Sequence, residues 1–171
     1  MLDSMSTPDR KIKARLDAAK AKSPLLVRPG FLIRRLHQLH CALFLEETRE
    51  FGITPVQFSL MTTLGRRGEM DQNSLALELG LERTSVAEVL PRMQRRGLLL
   101  RRRSTSDGRA RLVKLTRKGG ILLRKMGPAV ERAHARTVEH LDPTERGPFL
   151  LQLITLVESN NDIAAVPLRL R

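Results

Sequence analysis

Residues 74–96 contain two short segments with helical apolar spacing, separated by a glycine. Each segment is too short to form a core alone and must pack against another element. Ala76 lies four residues before Gly80, and Val86 lies six residues after it. A small residue lets two helices cross closely, a glycine takes the positive φ of a tight turn, and the valine faces inward. This spacing predicts a helix-turn-helix. Its small core is completed by Leu75, Leu79, Leu81 and Val89.

The surrounding sequence predicts longer helices and one β hairpin. Apolar residues recur every three or four positions over residues 31–51, which is typical of an amphipathic helix. A second long helix is predicted over residues 117–141. Further helices are predicted from Thr54-Pro55 to Gly68, and from Asp142-Pro143 to about residue 157. Residues 98–103 and 110–116 are predicted strands joined by a polar loop with an Asp-Gly turn. The predicted fold class is therefore mainly α with a small β wing.

Cap residues set the predicted starts of the two short helices. Asn73 or Ser74 is expected to begin the first, and Thr84 or Ser85 the second, because their side chains accept hydrogen bonds from free backbone amides. Pro91 falls inside the second helix and removes one backbone hydrogen bond there. We expect the helix to kink or loosen at that residue.

Residues 82–118 carry most of the net positive charge of the chain. Twelve of them are Lys or Arg and three are Asp or Glu, so 12 minus 3 gives +9 of the formal net +13. Charge this dense repels itself unless a polyanion compensates it, and duplex DNA is the commonest polyanion that fits. The chain has five Phe and no Tyr or Trp, which disfavours single-stranded DNA and RNA as targets that stack on aromatic rings.

The start of the second short helix is the predicted base-contacting surface, because the N-terminal part of a recognition helix meets base edges in the major groove. Arg83 can pair bidentately with guanine, and Thr84 and Ser85 suit a base or a phosphate. Phosphate contacts are predicted for Arg92, Arg95 and Arg96.

The hairpin supplies a second predicted contact. Arg109 follows the turn, and a long cationic side chain at a hairpin tip can enter an electronegative minor groove. Asp107 either holds the Arg109 guanidinium in position or only shapes the turn. The predicted DNA-binding residues are Arg83, Thr84, Ser85, Glu88, Arg92, Arg95, Arg103, Asp107, Arg109 and Arg111.

Three segments together resemble the MarR family of bacterial winged-helix regulators, over about residues 29–158. They are residues 71–76 before the first short helix, 95–98 after the second, and the wing, where Asp107, Arg109, Leu115 and Thr116 match position by position. Gly108 and Pro91 differ from the residues more usual in the family.

The resemblance implies a homodimer clamped by its N- and C-terminal helices, which binds a pseudo-palindromic operator, usually as a repressor released by a small molecule. The expected domains are a basic tail (residues 1–28), a MarR-like domain (29–160) and a C-terminal tail (161–171). Within the domain, the winged helix-turn-helix covers about 54–116, and the dimerisation helices about 29–51 and 117–158. A single recognition helix covers few base pairs, which independently favours a two-fold assembly.

The family resemblance also places an effector pocket between the dimerisation helices and the DNA-binding lobe. Residues 28–44 look like MarR regulators of aromatic-acid catabolism, which implies an aromatic acid or its coenzyme A thioester as effector. Arg34 or His37 suits a carboxylate or phosphate, and a Phe ring suits an aromatic ligand. The candidate lining residues are Arg34, His37, His40, Cys41, Phe44, Phe58 and Met61, each of which also fits an ordinary structural role.

Alternatives remain open at this stage. Cys41 is a candidate redox switch because nearby histidines favour a thiolate, although an inert buried thiol fits as well. His37 and His40 with His134 or His140 lack the cysteine cluster that would favour a metal site. An architectural, sequence-tolerant DNA-binding protein would also account for the net charge. The basic N-terminal tail is either solvated or a supplementary DNA-contacting arm.

Several classes are disfavoured. No spacing typical of a catalytic nucleophile, a carboxylate pair or a phosphate-binding loop is present, so we expect neither an enzyme nor a cofactor. A single cysteine excludes an internal disulfide, and no apolar stretch approaches the roughly 18 residues of a membrane span. Residues 1–13 lack the apolar segment of a signal peptide, so we expect a cytoplasmic protein without a membrane partner.

Overall fold

The computed structural model describes residues 6–105 and 110–168, and their architecture confirms a mainly α fold with one small sheet. The helices are α1 (Thr7–Lys22), α2 (Pro29–Glu47), α3 (Pro55–Arg67), α4 (Gln72–Glu78), α5 (Arg83–Arg95), α6 (Arg117–Thr137) and α7 (Pro143–Ser159). The strands are β1 (Met70–Asp71), β2 (Leu99–Arg103) and β3 (Arg111–Leu115). Short 3₁₀ turns lie at Pro24–Val27, Arg49–Phe51 and Asn161–Ile163.

The described residues fall into two compact units, divided after Ala42. The first contains α1 and the beginning of α2. Ser23 separates them, because its side chain accepts a hydrogen bond from the Leu25 amide at 3.3 Å and starts the turn at Pro24–Val27.

The core of the second unit lies between α3, α4, α5, α6 and the sheet. Thr54 and Gln57 form a capping box that starts α3, with side chain to backbone distances of 3.3 and 3.2 Å. Spacing of three and four residues then turns one face of each helix inward. The largest buried side chains are Phe44, Ile53, Leu60, Met61, Leu64, Leu75, Val86, Leu90, Met93, Leu98, Leu99 and Met126.

The sheet is antiparallel, with β3 between β1 and β2. β2 and β3 form the predicted hairpin, in a register that pairs Leu99 with Leu115 at its base and Arg103 with Arg111 at its outer end. The backbone amide of Ser104 donates to the Ala110 carbonyl at 2.9 Å, which extends the pairing by one step toward the tip.

Thr116 joins the hairpin to α6. Its Oγ1 accepts a hydrogen bond from the Gly119 amide at 2.9 Å and donates toward the Gly97 carbonyl at 2.8 Å. Gly119 is buried directly against the carbonyl oxygen of Leu98, closer than any side chain would permit. The first turn of α6 therefore depends on a residue without a Cβ.

Four predicted helix boundaries are wrong by a few residues. α2 ends at Glu47 instead of residue 51, because residues 49–51 form a separate 3₁₀ turn. α4 is capped by Asp71 rather than by Asn73 or Ser74, because the Asp71 carboxylate accepts hydrogen bonds from both of their amides. α5 begins at Arg83 after Glu82, whose side chain makes no cap hydrogen bond. α6 ends at Thr137 instead of residue 141, because the next amide turns back to the carbonyls of residues 135 and 136.

The C-terminal segment folds back onto the helix-turn-helix. The side-chain amide of Asn161 donates to the Leu168 carbonyl at 2.9 Å and accepts from the Leu168 amide at 2.8 Å. These two bonds close a loop that places the Leu168 side chain beside Gly80 in the turn between α4 and α5. The absence of a side chain at Gly80 leaves the space that Leu168 occupies.

Three ion pairs connect the end of α2 to α6. Glu47 accepts hydrogen bonds from the guanidinium groups of Arg132 and Arg136, each at 2.8 Å, and only 16% of its side chain is exposed. Arg136 also pairs with Glu46 at 3.0 Å. The hydrogen bonds from Arg132 and then Arg136 lower the pKa of Glu47 from its usual value.

This pKa shift predicts an acid-sensitive contribution to folding. A carboxylate whose folded pKa is depressed adds stability that is complete above its unfolded pKa and is lost as the pH falls through the folded pKa. Glu47→Gln should therefore lower the free energy of unfolding at about pH 7, and its difference from the wild type should shrink toward about pH 3. Urea unfolding of both proteins across this range measures the effect, and a difference independent of pH would contradict it.

Candidate nucleic-acid interface

The predicted helix-turn-helix is present as α4, a tight turn and α5. Gly80 has a φ of +60°, and the Leu81 amide donates to the Ala76 carbonyl at 2.9 Å. Leu75, Ala76 and Val86 are fully buried, and Val89 is half-buried against the same core. The close helix crossing and the inward valines predicted from the spacing are therefore confirmed.

The Asp71 cap fixes the start of α4. Burial opposes ionisation of its carboxyl group, but hydrogen bonds from the Ser74 side chain and from the amides of Asn73 and Ser74 outweigh this and lower its pKa. Asp71 therefore stays ionised, and a charged cap is favoured at the positive end of a helix.

α5 presents two opposite faces. Val86, Leu90 and Met93 are buried, at spacings of four and three residues. Most of the remaining positions point outward, and α5 continues past Pro91 to Arg95. The exposed residues include all six predicted DNA contacts on this helix: Arg83, Thr84, Ser85, Glu88, Arg92 and Arg95. The outer face therefore carries three arginines and two hydroxyl groups, a composition suited to phosphate and base edges.

Some arginines of this lobe are paired with carboxylates, and a set of exposed arginines is not. Arg67 pairs with Glu78 at 2.6 Å, and Arg102 pairs with Glu69 at 2.5 Å. Within residues 6–105 and 110–168, no ion pair neutralises the exposed set: Arg83, Arg92, Arg95, Arg103 and Arg111. Across this part of the chain, positive charge is thus left uncompensated along α5 and at the outer end of the hairpin.

The hairpin places two of these arginines directly opposite each other. Arg103 and Arg111 are cross-strand partners, so both side chains project from the same side of the sheet, and both are exposed. Like charges at directly opposed positions destabilise a sheet. An anion held between or beside them would remove this repulsion. Asp107 and Arg109, the predicted contacts at the tip, lie outside the described residues.

Two arginines nearer the base of the hairpin contact other parts of the domain. Arg101 is partly buried, and its Nη2 donates to the side-chain oxygen of Gln72 at 3.2 Å. Its Nε is buried without a hydrogen-bond partner in the described part of the chain. Arg102 is anchored to Glu69, and this ion pair lowers the pKa of the carboxyl group. These two arginines attach the wing to the domain.

Arg96 has a structural contact that the sequence did not predict. Its guanidinium donates to the carbonyls of Phe51 and Gly52 at 2.8 and 2.6 Å, which closes the turn after α2. Lys118 Nζ in turn donates to the Arg96 carbonyl at 2.9 Å. The guanidinium predicted to contact phosphate is thus already hydrogen-bonded within the domain. Gly52 ends a turn in a left-handed conformation. A glycine in this position marks the end of a helical turn, where backbone carbonyls need hydrogen-bond donors, and this was the local signal in the sequence.

The predicted effector residues are placed as follows. In the second unit, Phe44 and Met61 are buried in the core, and the Phe58 ring lies 5.8 Å from that of Phe44. In the first unit, the Arg34 guanidinium lies 5.4 Å from the centroid of the Phe31 ring. Candidate residues on the same stretch of α2 are His37, His40 and Cys41. The sulfur of Cys41 lies 3.6 Å from His37 Nε2.

Metal binding and membrane insertion find no support in the described residues. They contain no group of three or more His, Cys, Asp or Glu side chains that could hold a metal ion. They also contain no helix that combines the length and the apolar character needed to cross a bilayer.

Comparison with known proteins agrees with this geometry. The MarR family model matches residues 53–110, which include α3, α4, α5 and β2. The transcriptional repressor CouR, solved bound to a 23-mer DNA duplex, is 30% identical with a TM-score of 0.73, over 78% of this chain and 95% of CouR.

Two further solved structures are similar over most of their length. The PcaV transcriptional regulator of Streptomyces coelicolor, in complex with its natural ligand, is 30% identical with a TM-score of 0.70, over 78% of this chain and 94% of PcaV. BpsR of Bordetella bronchiseptica, whose DNA binding is regulated by 6-hydroxynicotinic acid, is 28% identical with a TM-score of 0.71, over 75% of this chain and 92% of BpsR.

Proposed function

Since this chain belongs to the MarR family of transcriptional regulators, we propose that it is a homodimeric, sequence-specific repressor that a small aromatic acid or its coenzyme A thioester releases from DNA. It is a regulator rather than an enzyme. The observation that carries the proposal is the row of exposed arginines on α5 and at the outer end of the hairpin, which no described carboxylate neutralises. A helix and a β finger of this kind fit adjacent grooves of one duplex.

In this proposal the outer face of α5 contacts bases near the start of the helix and phosphates further along it. Arg83 donates to the O6 and N7 of a guanine, the hydroxyls of Thr84 and Ser85 contact bases or phosphates, and Glu88 accepts from a cytosine amine. Arg92 and Arg95, further along the helix, hold phosphates, and Arg103 and Arg111 do so from the wing. The five guanidinium groups, none of them in an ion pair with a described residue, support this assignment.

A second copy of the chain is the proposed partner of α7. Leu150, Ile154 and Val157 are each about half exposed, at 52, 49 and 49%. They line a shallow groove together with Leu153 and Glu158. Contiguous exposed apolar surface of this kind is unfavourable in water and marks an interface. Two copies joined through α7 would present two α5 helices to a pseudo-palindromic operator.

DNase footprinting tests the proposal, with an operator first selected from a random-sequence duplex pool. A dimeric repressor protects one discrete two-fold site, and sedimentation gives twice the chain mass. Protection that spreads along the fragment without a preferred site would instead identify a sequence-tolerant architectural protein. A monomer in solution would overturn the dimeric arrangement.

The effector proposal has support within α2 itself. The Arg34 guanidinium over the Phe31 ring offers a cation and an apolar ring side by side, the two groups that an aromatic carboxylate needs. Among similar proteins, BpsR responds to an aromatic acid and PcaV has a natural ligand of its own. A thermal-shift screen with benzoic, hydroxycinnamic and hydroxynicotinic acids and their coenzyme A esters tests this. A ligand should raise the Tm of the wild type and not that of Arg34→Ala.

The contact between Cys41 and His37 favours one second candidate, a redox-sensing regulator. The sulfur of Cys41 lies 3.6 Å from His37 Nε2, and a cysteine that peroxide can reach is oxidised first to a sulfenic acid. Peroxide would then release the wild type from DNA and leave Cys41→Ser bound. If both proteins respond to an aromatic acid and neither to peroxide, the thiol has no sensing role.

The wing tip provides a prediction that follows from the sequence alone. Arg109→Ala should weaken operator binding without unfolding the protein, because the side chain is expected to reach the minor groove and not the domain. We expect the affinity to fall by about 1–3 kcal/mol per half-site, measured by fluorescence anisotropy at fixed salt. Unchanged affinity would remove Arg109 from the interface, and an unchanged circular dichroism spectrum serves as the folding control.

A further inference from the structure

α1 is a helix whose ends are fixed by its own residues. Ser6 accepts from the Asp9 amide at 3.4 Å, Pro8 lies in the first turn, and the Ser23 amide closes the last turn onto the Ala19 carbonyl at 3.1 Å. Asp9 at the start and lysines at the end match the helix dipole. The segment therefore encodes a helix locally, independently of the rest of the fold.

Packing does not account for this helix, because none of its residues is buried. Ile12 and Leu16 remain 57 and 52% exposed. An isolated helix of this length is marginal in water, and most helices in proteins are stabilised by what they pack against. A partner that lies along α1 would supply that stabilisation.

The charge on α1 identifies the partner's chemistry. Six residues are cationic and two are acidic, so 6 minus 2 gives +4 for 16 residues. The cations are Arg10, Lys11, Lys13, Arg15, Lys20 and Lys22. No ion pair neutralises them within the residues for which the structure gives positions. The partner is therefore anionic.

The cations are arranged in two rows. Lys11, Arg15 and Lys22 are four and seven residues apart, so they follow one another along one side of the helix. Lys13 and Lys20, seven residues apart, form a second row. Ile12, Leu16 and Ala19 run between the rows. The rows lie on nearly opposite sides of the helix, so one of them at a time can face a polyanion with regularly spaced charges, and the row of Lys11, Arg15 and Lys22 has the most cations.

We propose that α1 is a second DNA-binding element, which holds the phosphate backbone of the duplex independently of its sequence. The inference rests on the proposed function, because a dimer bound to its operator holds duplex DNA at high effective concentration for a tethered basic helix. Duplex DNA fits better than an anionic membrane, since the line between the rows has only two large apolar side chains and no aromatic ring.

The test compares two variants of the full-length chain. Lys11→Gln/Arg15→Gln/Lys22→Gln removes one row of charge, and Lys11→Arg/Arg15→Lys/Lys22→Arg keeps the same positions charged. Anisotropy titrations use a duplex of about 40 base pairs with scrambled sequence, over a series of KCl concentrations. Because no residue of α1 is buried, neither variant should alter the circular dichroism spectrum or the Tm.

The neutral variant should bind about tenfold more weakly near 0.1 M salt, and the slope of log K against log salt should decrease by about 0.9 for each phosphate that α1 no longer neutralises. The charge-conserving variant should match the wild type. If the wild type binds this duplex and the neutral variant has the same affinity and slope, the inference is wrong while the proposed function stands. If the wild type does not bind DNA at all, both fail.

Sedimentation with vesicles of equal parts phosphatidylglycerol and phosphatidylcholine tests the alternative that α1 binds an anionic membrane instead of DNA. Wild-type binding to these vesicles that the neutral variant loses, with an unchanged DNA slope, would assign α1 to a membrane and overturn the inference. No vesicle binding, together with the reduced DNA slope, supports it.

Discussion

Gly119→Ala should destabilise the DNA-binding domain by about 3 kcal/mol. A Cβ at this position would overlap the backbone carbonyl oxygen of Leu98 and come within 2.8 Å of a methyl group of Leu115. The carbonyl belongs to the chain just before β2 and cannot rotate away as a flexible side chain would. The first turn of α6 must therefore move, which also disturbs the Thr116 cap.

The neighbouring glycine is the matched control. A Cβ at Gly120 would meet its nearest atom, in the Arg124 side chain, at 3.7 Å, which is ordinary contact. Alanine has the higher helix propensity, so Gly120→Ala should stabilise the protein by up to about 1 kcal/mol. Urea unfolding of the two variants measures opposite signs. If Gly119→Ala is as stable as Gly120→Ala, the close approach of α6 to Leu98 does not exist in solution.

Arg83→Ala should have the largest effect on operator recognition. Removal of a bidentate pair with guanine costs about 1–3 kcal/mol per half-site, so a dimer would lose about twice that. The loss of affinity should be confined to duplexes that contain this guanine, because Arg83 makes no bidentate contact with a duplex that lacks it. Anisotropy titrations on the selected operator and on single-base variants of it measure this.

Arg92→Ala is the control for Arg83. Both side chains are exposed on α5 and lack an ion pair in the described residues, but Arg92 lies more than two turns further from the helix start. A phosphate contact is sequence-independent, so Arg92→Ala should weaken binding to all duplexes by a similar factor and reduce the salt slope by about 0.9 per half-site. Equal losses for Arg83→Ala on operator and scrambled DNA would make Arg83 a phosphate contact too.

The sequence predicted those parts of the fold that depend on neighbours along the chain. The crossing of α4 and α5 follows from Ala76, Gly80 and Val86, which lie within eleven positions of one another. The hairpin follows from its turn and from strand alternation. Helix starts were less accurate, because Asp71 lies outside the helical pattern and caps α4 from the end of β1.

At the candidate site, the contacts that the sequence did not predict join residues that are far apart along the chain. Arg96 is 44 residues from its acceptor at Gly52, and Arg102 is 33 residues from Glu69. Composition shows that the segment is basic, but only the fold shows which arginines are already neutralised or hydrogen-bonded. The exposure of the proposed DNA contacts on α5 follows from their position on the helix, whereas the structural roles of Arg96, Arg101 and Arg102 were not predicted.

The opposed pair Arg103 and Arg111 makes the wing respond to ionic strength in two opposite ways. Dissolved salt screens the mutual repulsion of the two guanidinium groups, so the outer end of the free hairpin closes more firmly as salt increases. The same ions compete for the phosphates that the two arginines would hold. Counterions and a bound duplex would therefore both strengthen the pairing at the outer end of the hairpin, because each reduces the repulsion between the same two charges.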